Sequence, residues 1–219
     1  MPKECENGVC RKIRREWHSS FSGKSGFTLI ELVVVFGLIL VLTGLVLSTV
    51  GYARKKGARA RAETEIAAMS AACENYKADN GIYPRSSVTD TFTAVTNRTP
   101  PDPQPTSYDP SVTAYSFTSL DLYRQLSGNP SGDRTTYTQR SYFQFKPNML
   151  SPSGGTGIVT AITDPFGNSY GFSTAQAYYL DNPAVNPNYG FNATFDLWST
   201  AGTSNATNAA YEQAWIKNW

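Results

Sequence analysis

The chain has 219 residues, with 19 Lys/Arg against 17 Asp/Glu. Its single His (His18) and two of its three Cys (Cys5 and Cys10) lie in the first 18 positions. Past residue 26 only Cys73 remains, which excludes there a Ser-His-Asp or Cys-His nucleophile and any zinc site needing two His or Cys ligands. Residues 85–219 carry seven Lys/Arg and nine Asp/Glu, a net −2, so bulk charge does not favour nucleic acid as a partner.

Residues 1–26 are polar and basic, with Lys3, Arg11, Lys12, Arg14, Arg15 and Lys24 and no core-forming pattern; they read as a disposable leader. From Phe27 to Val50 the stretch is predominantly apolar and Glu31 is its one charge. A helix over that stretch is about 36 Å long, enough to cross a hydrocarbon core of about 30 Å, and too long for the apolar region of a secretory signal. Glu31 is the anomaly, because a carboxylate at the lipid boundary is costly unless paired, and no Lys or Arg lies within the span. A cut between Gly26 and Phe27 would create an α-amino group four residues before Glu31. In a neighbouring copy shifted along the helix axis, that amine meets the carboxylate directly. Gly37, Gly44 and Gly51 are seven apart and line one side, a groove for helix packing.

The helix is expected to continue to about Asp79. Ala62, Ile66, Met69, Cys73 and Tyr76 recur at spacings of four and three, an apolar face that packs on a sheet, while Arg61, Glu65, Lys77 and Asp79 read as the solvent face. Asn80-Gly81 supplies the stop and Pro84 prevents resumption. This gives a filament-core or membrane segment over 27–50, an amphipathic continuation over 51–84, and a globular domain over 85–219.

Gly26-Phe27-Thr28-Leu29-Ile30-Glu31, followed by the apolar run, resembles the processing motif of type IV pilins and type II secretion pseudopilins. The resemblance implies cleavage after Gly26 by a prepilin peptidase, N-methylation of Phe27, and use of Glu31 in subunit registration. Tyr76 to Pro84 also resembles that family's exit from its long helix.

In the distal domain, Pro100, Pro101, Pro103, Pro105 and Pro110 make residues 85–117 read as an extended surface loop. Thr118 to Leu126 reads as a short helix ended by Gly128-Asn129-Pro130, and Tyr142 to Phe145 as a short strand. Asp164-Pro165-Phe166-Gly167-Asn168 reads as a turn before a strand carrying Tyr170 and Phe172 on one face. Ala177 to Leu180 and Thr194 to Ser199 are further expected strands. The turn, the Phe195-Asp196-Leu197-Trp198-Ser199 segment and the terminal Asn218-Trp219 resemble the major pseudopilin subfamily.

That subfamily's loop after the Asp-Leu-x-Ser strand supplies aspartates to calcium. Here Thr200 to Asn208 has no carboxylate, which leaves Leu197, Ser199, Asn205 and Asn208 as weak oxygen candidates. No cofactor is expected; hydrogen bonds of the Thr/Asn loop and packing of Trp215 and Trp219 are expected to hold the C-terminal segment instead.

The fold class is therefore α+β: a long N-terminal helix on a small antiparallel sheet, the pilin-like arrangement. The implied function is a non-enzymatic subunit of a type II secretion pseudopilus. The implied partners are further copies of itself, minor pseudopilins, the prepilin peptidase, an inner-membrane assembly platform and, before assembly, membrane lipids. The implied place is the bacterial inner membrane, crossed once, with the C-terminal domain in the periplasm. A type IV pilin for adhesion, motility or DNA uptake is the alternative, disfavoured because Cys73 alone cannot form the disulfide typical of that group.

Overall fold

The computed structural model describes residues 26–92, 110, 113–155, 157–182, 190–203 and 214–219. The leader, the prolines at 100–105, Asn205 and Asn208 lie outside the described residues. The chain divides into two compact units, one ending at Thr49 and one running from Val50 to Trp219. Helix α1, Leu29–Asn80, contributes to both.

In the first unit every large apolar side chain of α1 faces solvent; Leu29 is 81% and Leu47 69% exposed. A contiguous apolar surface of this extent marks contact with a membrane or another protein. Among the described residues α1 is the one helix long and apolar enough to cross a membrane.

The second unit is built on the distal part of α1. Ala62, Ile66, Met69 and Cys73 are buried and Tyr76 is half-buried, the face expected from their spacing. The helix stops where Gly81 adopts φ +78°, with its amide bonded to Lys77 O at 2.8 Å and the Asn80 side chain capping Tyr76 O at 2.9 Å. Glu65 departs from the expected solvent face. It is buried, and accepts from Arg61 Nε at 2.7 Å and from the Tyr170 hydroxyl at 2.8 Å. A buried carboxylate needs such partners to offset its lost hydration.

After α1 in the chain come α2, Ser87–Thr91, and α3, Thr113–Ser127, so residues 85–117 are not wholly an extended loop. The α2 N-terminus is a capping box in which Ser86 and Thr89 satisfy each other's amides, a local signal that outweighs the general proline content. Helix α3 begins five residues before the expected start, because Tyr115 is drawn into the core, where its hydroxyl accepts from Trp198 Nε1 at 3.1 Å. Tyr142 to Phe145 is not a strand. The Tyr142 and Phe143 amides both donate to Leu126 O, at 2.7 and 3.0 Å, satisfying a carbonyl left open at the end of α3.

Two antiparallel sheets complete the unit. Strands β1, Leu150–Ser151, and β2, Ala161–Ile162, pair as one. Strands β3, Gly171–Ser173, β4, Asp196–Ser199, and β5, Ile216–Lys217, form a three-stranded meander. Gly171 lies opposite Trp198, and a Cβ there would fall on the indole, so glycine is required. Ala175–Asp181 is helix α4, not the expected strand. Its Ala-Gln-Ala opening is helix-favouring, and Asp181 at its end is held by Arg85 Nη1 at 2.7 Å.

One apolar cluster joins α1 to α3 and the sheets through Met69, Cys73, Leu122, Ile162, Tyr170, Phe172 and Leu197. A second gathers Phe92, Tyr115, Trp198 and Trp215. The fold is α+β, a long N-terminal helix with a small antiparallel sheet, as the pilin-like resemblance implies.

Candidate functional site

The candidate assembly site sits at the start of α1. Gly26 and Phe27 precede the helix in irregular conformation, and Phe27 is 84% exposed. Thr28 and Glu31 then form a reciprocal cap. The Glu31 amide donates to Thr28 Oγ1 at 3.3 Å, while Glu31 Oε2 accepts from the Thr28 amide at 2.9 Å and from its hydroxyl at 2.8 Å. This is a Thr-x-x-Glu capping box, which satisfies amides that a helix start otherwise leaves open. The sequence expectation places the partner of Glu31 on a neighbouring copy and omits this local one. The spacing of Thr28 and Glu31 was signal enough to find it.

Thr28, which holds that carboxylate, lies one residue past Phe27, whose amide a cut after Gly26 would convert to an amine. The α-amino group would then lie on Phe27, next to the Thr28 amide that already binds Glu31. The carboxylate is thus oriented toward the segment where a new amine would appear. At Gly37, Gly44 and Gly51 no atom beyond the local helix lies within 4 Å of where a Cβ would stand, so among the described residues nothing requires glycine at those positions. Beyond the apolar run, Arg54, Lys55 and Lys56 are exposed. Arg59 and Arg61 are engaged, Arg59 with Glu63 at 3.2 Å and Ala214 O at 2.9 Å, Arg61 with Glu65.

The C-terminal closure is the second region singled out by sequence. The Asp164–Asn168 turn forms as expected. Asp164 Oδ1 accepts from the Phe166 and Asn168 amides at 2.9 and 2.8 Å, and Gly167 takes φ +92°. Asp164 Oδ2 accepts from Ser199 Oγ at 2.5 Å, tying the turn to β4. Burial pushes the Asp164 carboxyl upward in pKa, and the donors from Ser199, Asn168, Phe166 and Gly167 pull the other way.

The two described calcium candidates both have hydrogen-bond partners within the chain. Ser199 Oγ donates to Asp164 and accepts from the Ala201 amide at 3.0 Å, and Leu197 pairs with Asn218, its amide donating to Oδ1 at 2.9 Å and its carbonyl accepting from the amide at 3.2 Å. Aromatic packing closes the segment, as expected: Trp215 stacks on Trp198 at 5.9 Å, and Trp219 stacks on Phe191 at 4.4 Å. Cys73 is a buried free thiol whose pKa is driven far up by burial, with the nearby Glu74 charge adding to it, which makes it a poor nucleophile.

Known proteins share part of this chain. It is 33% identical over 85 residues to the type II secretion system core protein G of Aeromonas hydrophila, covering 39% of this chain and 58% of that protein. It is 32% identical over 85 residues to the protein of the same name from Vibrio cholerae serotype O1, covering 39% and 56%. The chain is pseudopilin-like. It spans little more than half the length of these relatives. No family model matches it, and no solved structure matches it. The long apolar helix of this pseudopilin-like chain fits a membrane anchor.

Proposed function

We propose that the chain is a structural subunit, without enzymatic activity, that polymerises through its N-terminal helix into a type II secretion pseudopilus. The observation that carries this reading is Glu31: a carboxylate in the first turn of α1, the only charge in a proximal segment whose large apolar side chains are exposed, in a chain similar to secretion core proteins. A lone subunit leaves that apolar surface bare, so lipid covers it first and neighbouring helices afterwards. The precursor inserts with residues 1–26 in the cytoplasm and its C-terminal domain in the periplasm. A prepilin peptidase cuts after Gly26, and Phe27 is N-methylated.

The new amine of one subunit then meets Glu31 of the next. A head-to-tail contact that does not close generates a filament rather than a ring. Gly37, Gly44 and Gly51 let the helices approach closely in the filament core. Minor pseudopilins and an inner-membrane assembly platform start and feed the polymer, and it pushes exported proteins outward.

Mass spectrometry of the native N-terminus tests the first step, with a methylated chain beginning at Phe27 as the expected product. A native chain that keeps residues 1–26 would never present the amine and would refute the account. Electron microscopy of cells overproducing the protein tests the polymer, and deletion scored for secretion against twitching separates the pseudopilus from a type IV pilus.

A further inference from the structure

The positive flank after the apolar run is unused by the assembly reading. Between Glu31 and Glu63 the sequence has no carboxylate, yet it holds Arg54, Lys55, Lys56, Arg59 and Arg61. Arg59 and Arg61 find partners on their own chain, at Glu63, Ala214 O and Glu65. Among the described residues Arg54, Lys55 and Lys56 make no ion pair: positions three and four away on either side carry no acid, and the three residues are exposed. Tyr52, two residues before them, is 72% exposed.

We propose that Arg54, Lys55 and Lys56 form a cationic collar that binds the phosphate groups of anionic phospholipids while the subunit is in the membrane. The inference rests on the membrane-inserted stage of the reading above. Three features support it. Four to six residues after Val50, at about 1.5 Å each, is the depth of the headgroup layer when the apolar run fills the hydrocarbon. Tyr52, with its apolar ring and polar tip, belongs at that boundary. The geometry also selects lipid over a protein partner. Consecutive helix residues point about 100° apart, so the three cations face three directions around the axis. A single protein surface reaches one side of a helix, whereas headgroups surround it.

There is a further reason to expect an anion here. In the proposed orientation these charges lie on the side where positive residues are disfavoured. An anionic layer at that depth compensates for their placement. Each cation near such a surface strengthens association about fivefold, so three together contribute on the order of a hundredfold.

The test uses the full chain in phosphatidylcholine vesicles containing phosphatidylglycerol. Spin-labelled forms of the two lipids report which one occupies the ring around the helix. The wild-type chain is expected to enrich phosphatidylglycerol, and the preference should fall as ionic strength rises. Arg54→Gln/Lys55→Gln/Lys56→Gln should bring the preference close to one, whereas Arg54→Lys/Lys55→Arg/Lys56→Arg should retain it. Unchanged preference in the glutamine variant overturns the proposal. So does competition by inorganic phosphate at constant ionic strength, which would assign the collar to a soluble anion. Loss of cross-links between copies with lipid preference intact assigns it to a second copy and also overturns it. Should the glutamine variant not insert, the wild-type salt series decides, and a preference insensitive to salt refutes the idea. Filaments are scored separately by electron microscopy, so their absence with lipid preference intact would sink the polymer reading alone.

Discussion

Replacing Tyr170 by Phe removes one oxygen from the middle of the distal unit and leaves the ring in place. Tyr170 is fully buried, and its hydroxyl donates to Glu65 Oε2 at 2.8 Å. The Glu65 side chain is 11% exposed and keeps Arg61 Nε at 2.7 Å. A hydrogen bond to a charged group contributes about 1.5–3 kcal/mol, and here the carboxylate left behind has little water to replace the lost donor. Because Phe preserves the ring, packing adds little. The expected loss is therefore about 1.5–3 kcal/mol, or roughly 3–12 °C in Tm for a domain of this size. Denaturant unfolding of the detergent-solubilised chain, followed by far-ultraviolet circular dichroism, measures it. A double-mutant cycle with Glu65→Gln isolates the pair. A Tyr170→Phe protein as stable as wild type, within about 0.3 kcal/mol, would show that Glu65 is already satisfied by water and Arg61 and would refute the buried-network argument.

Three other outcomes are expected. Gly171→Ala drives a methyl into the Trp198 indole and should cost about 1–3 kcal/mol, with a change in near-ultraviolet circular dichroism. Asp133 is held well below its ordinary pKa of 3.8 by the Thr136 hydroxyl, the Thr136 and Thr135 amides and Asn129. Since the folded value is depressed, its contribution is present above pH 3.8 and lost as pH falls below it, so the protection of the Thr135 and Thr136 amides relative to their intrinsic exchange rates should fall in strong acid in wild type but not change in Asp133→Ala. Glu31→Val should still be processed after Gly26 yet assemble poorly; normal filaments in electron micrographs of that variant would remove Glu31 from the assembly mechanism.

The parts of the fold readable in advance were those set by short-range chemistry. The apolar run, the Asn80-Gly81 stop, the Ala62-to-Tyr76 face and the Asp164–Asn168 turn each follow from residues a few positions apart. Glu65 was misplaced because charge was taken as a sign of solvent. At about 100° per residue it lies only about 20° from Tyr76, on the margin of the apolar face, and the wheel position was the better guide. The early start of α3 depends on Tyr115 meeting Trp198, 83 positions later, which no local pattern encodes. Tyr142 to Phe145 and Ala177 to Leu180 are four-residue aromatic runs, too short for periodicity to separate helix, strand and loop. The candidate assembly site is legible as a motif, and the Thr28 contribution follows from the Thr-x-x-Glu spacing of a capping box rather than from the missing cation.

The tryptophan distribution has a practical side. Of four in the sequence, Trp17 lies in the segment proposed for removal, and Trp198, Trp215 and Trp219 meet within one aromatic group. Two near-parallel indoles 5.9 Å apart couple electronically, so the protein carries an optical gauge of its own sheet edge. Intrinsic emission from the processed chain therefore monitors whether β5 is seated, and is nearly blind to the long helix. An unfolding curve recorded by fluorescence alone would date the detachment of one strand and should be paired with a backbone signal before it is taken for the whole domain.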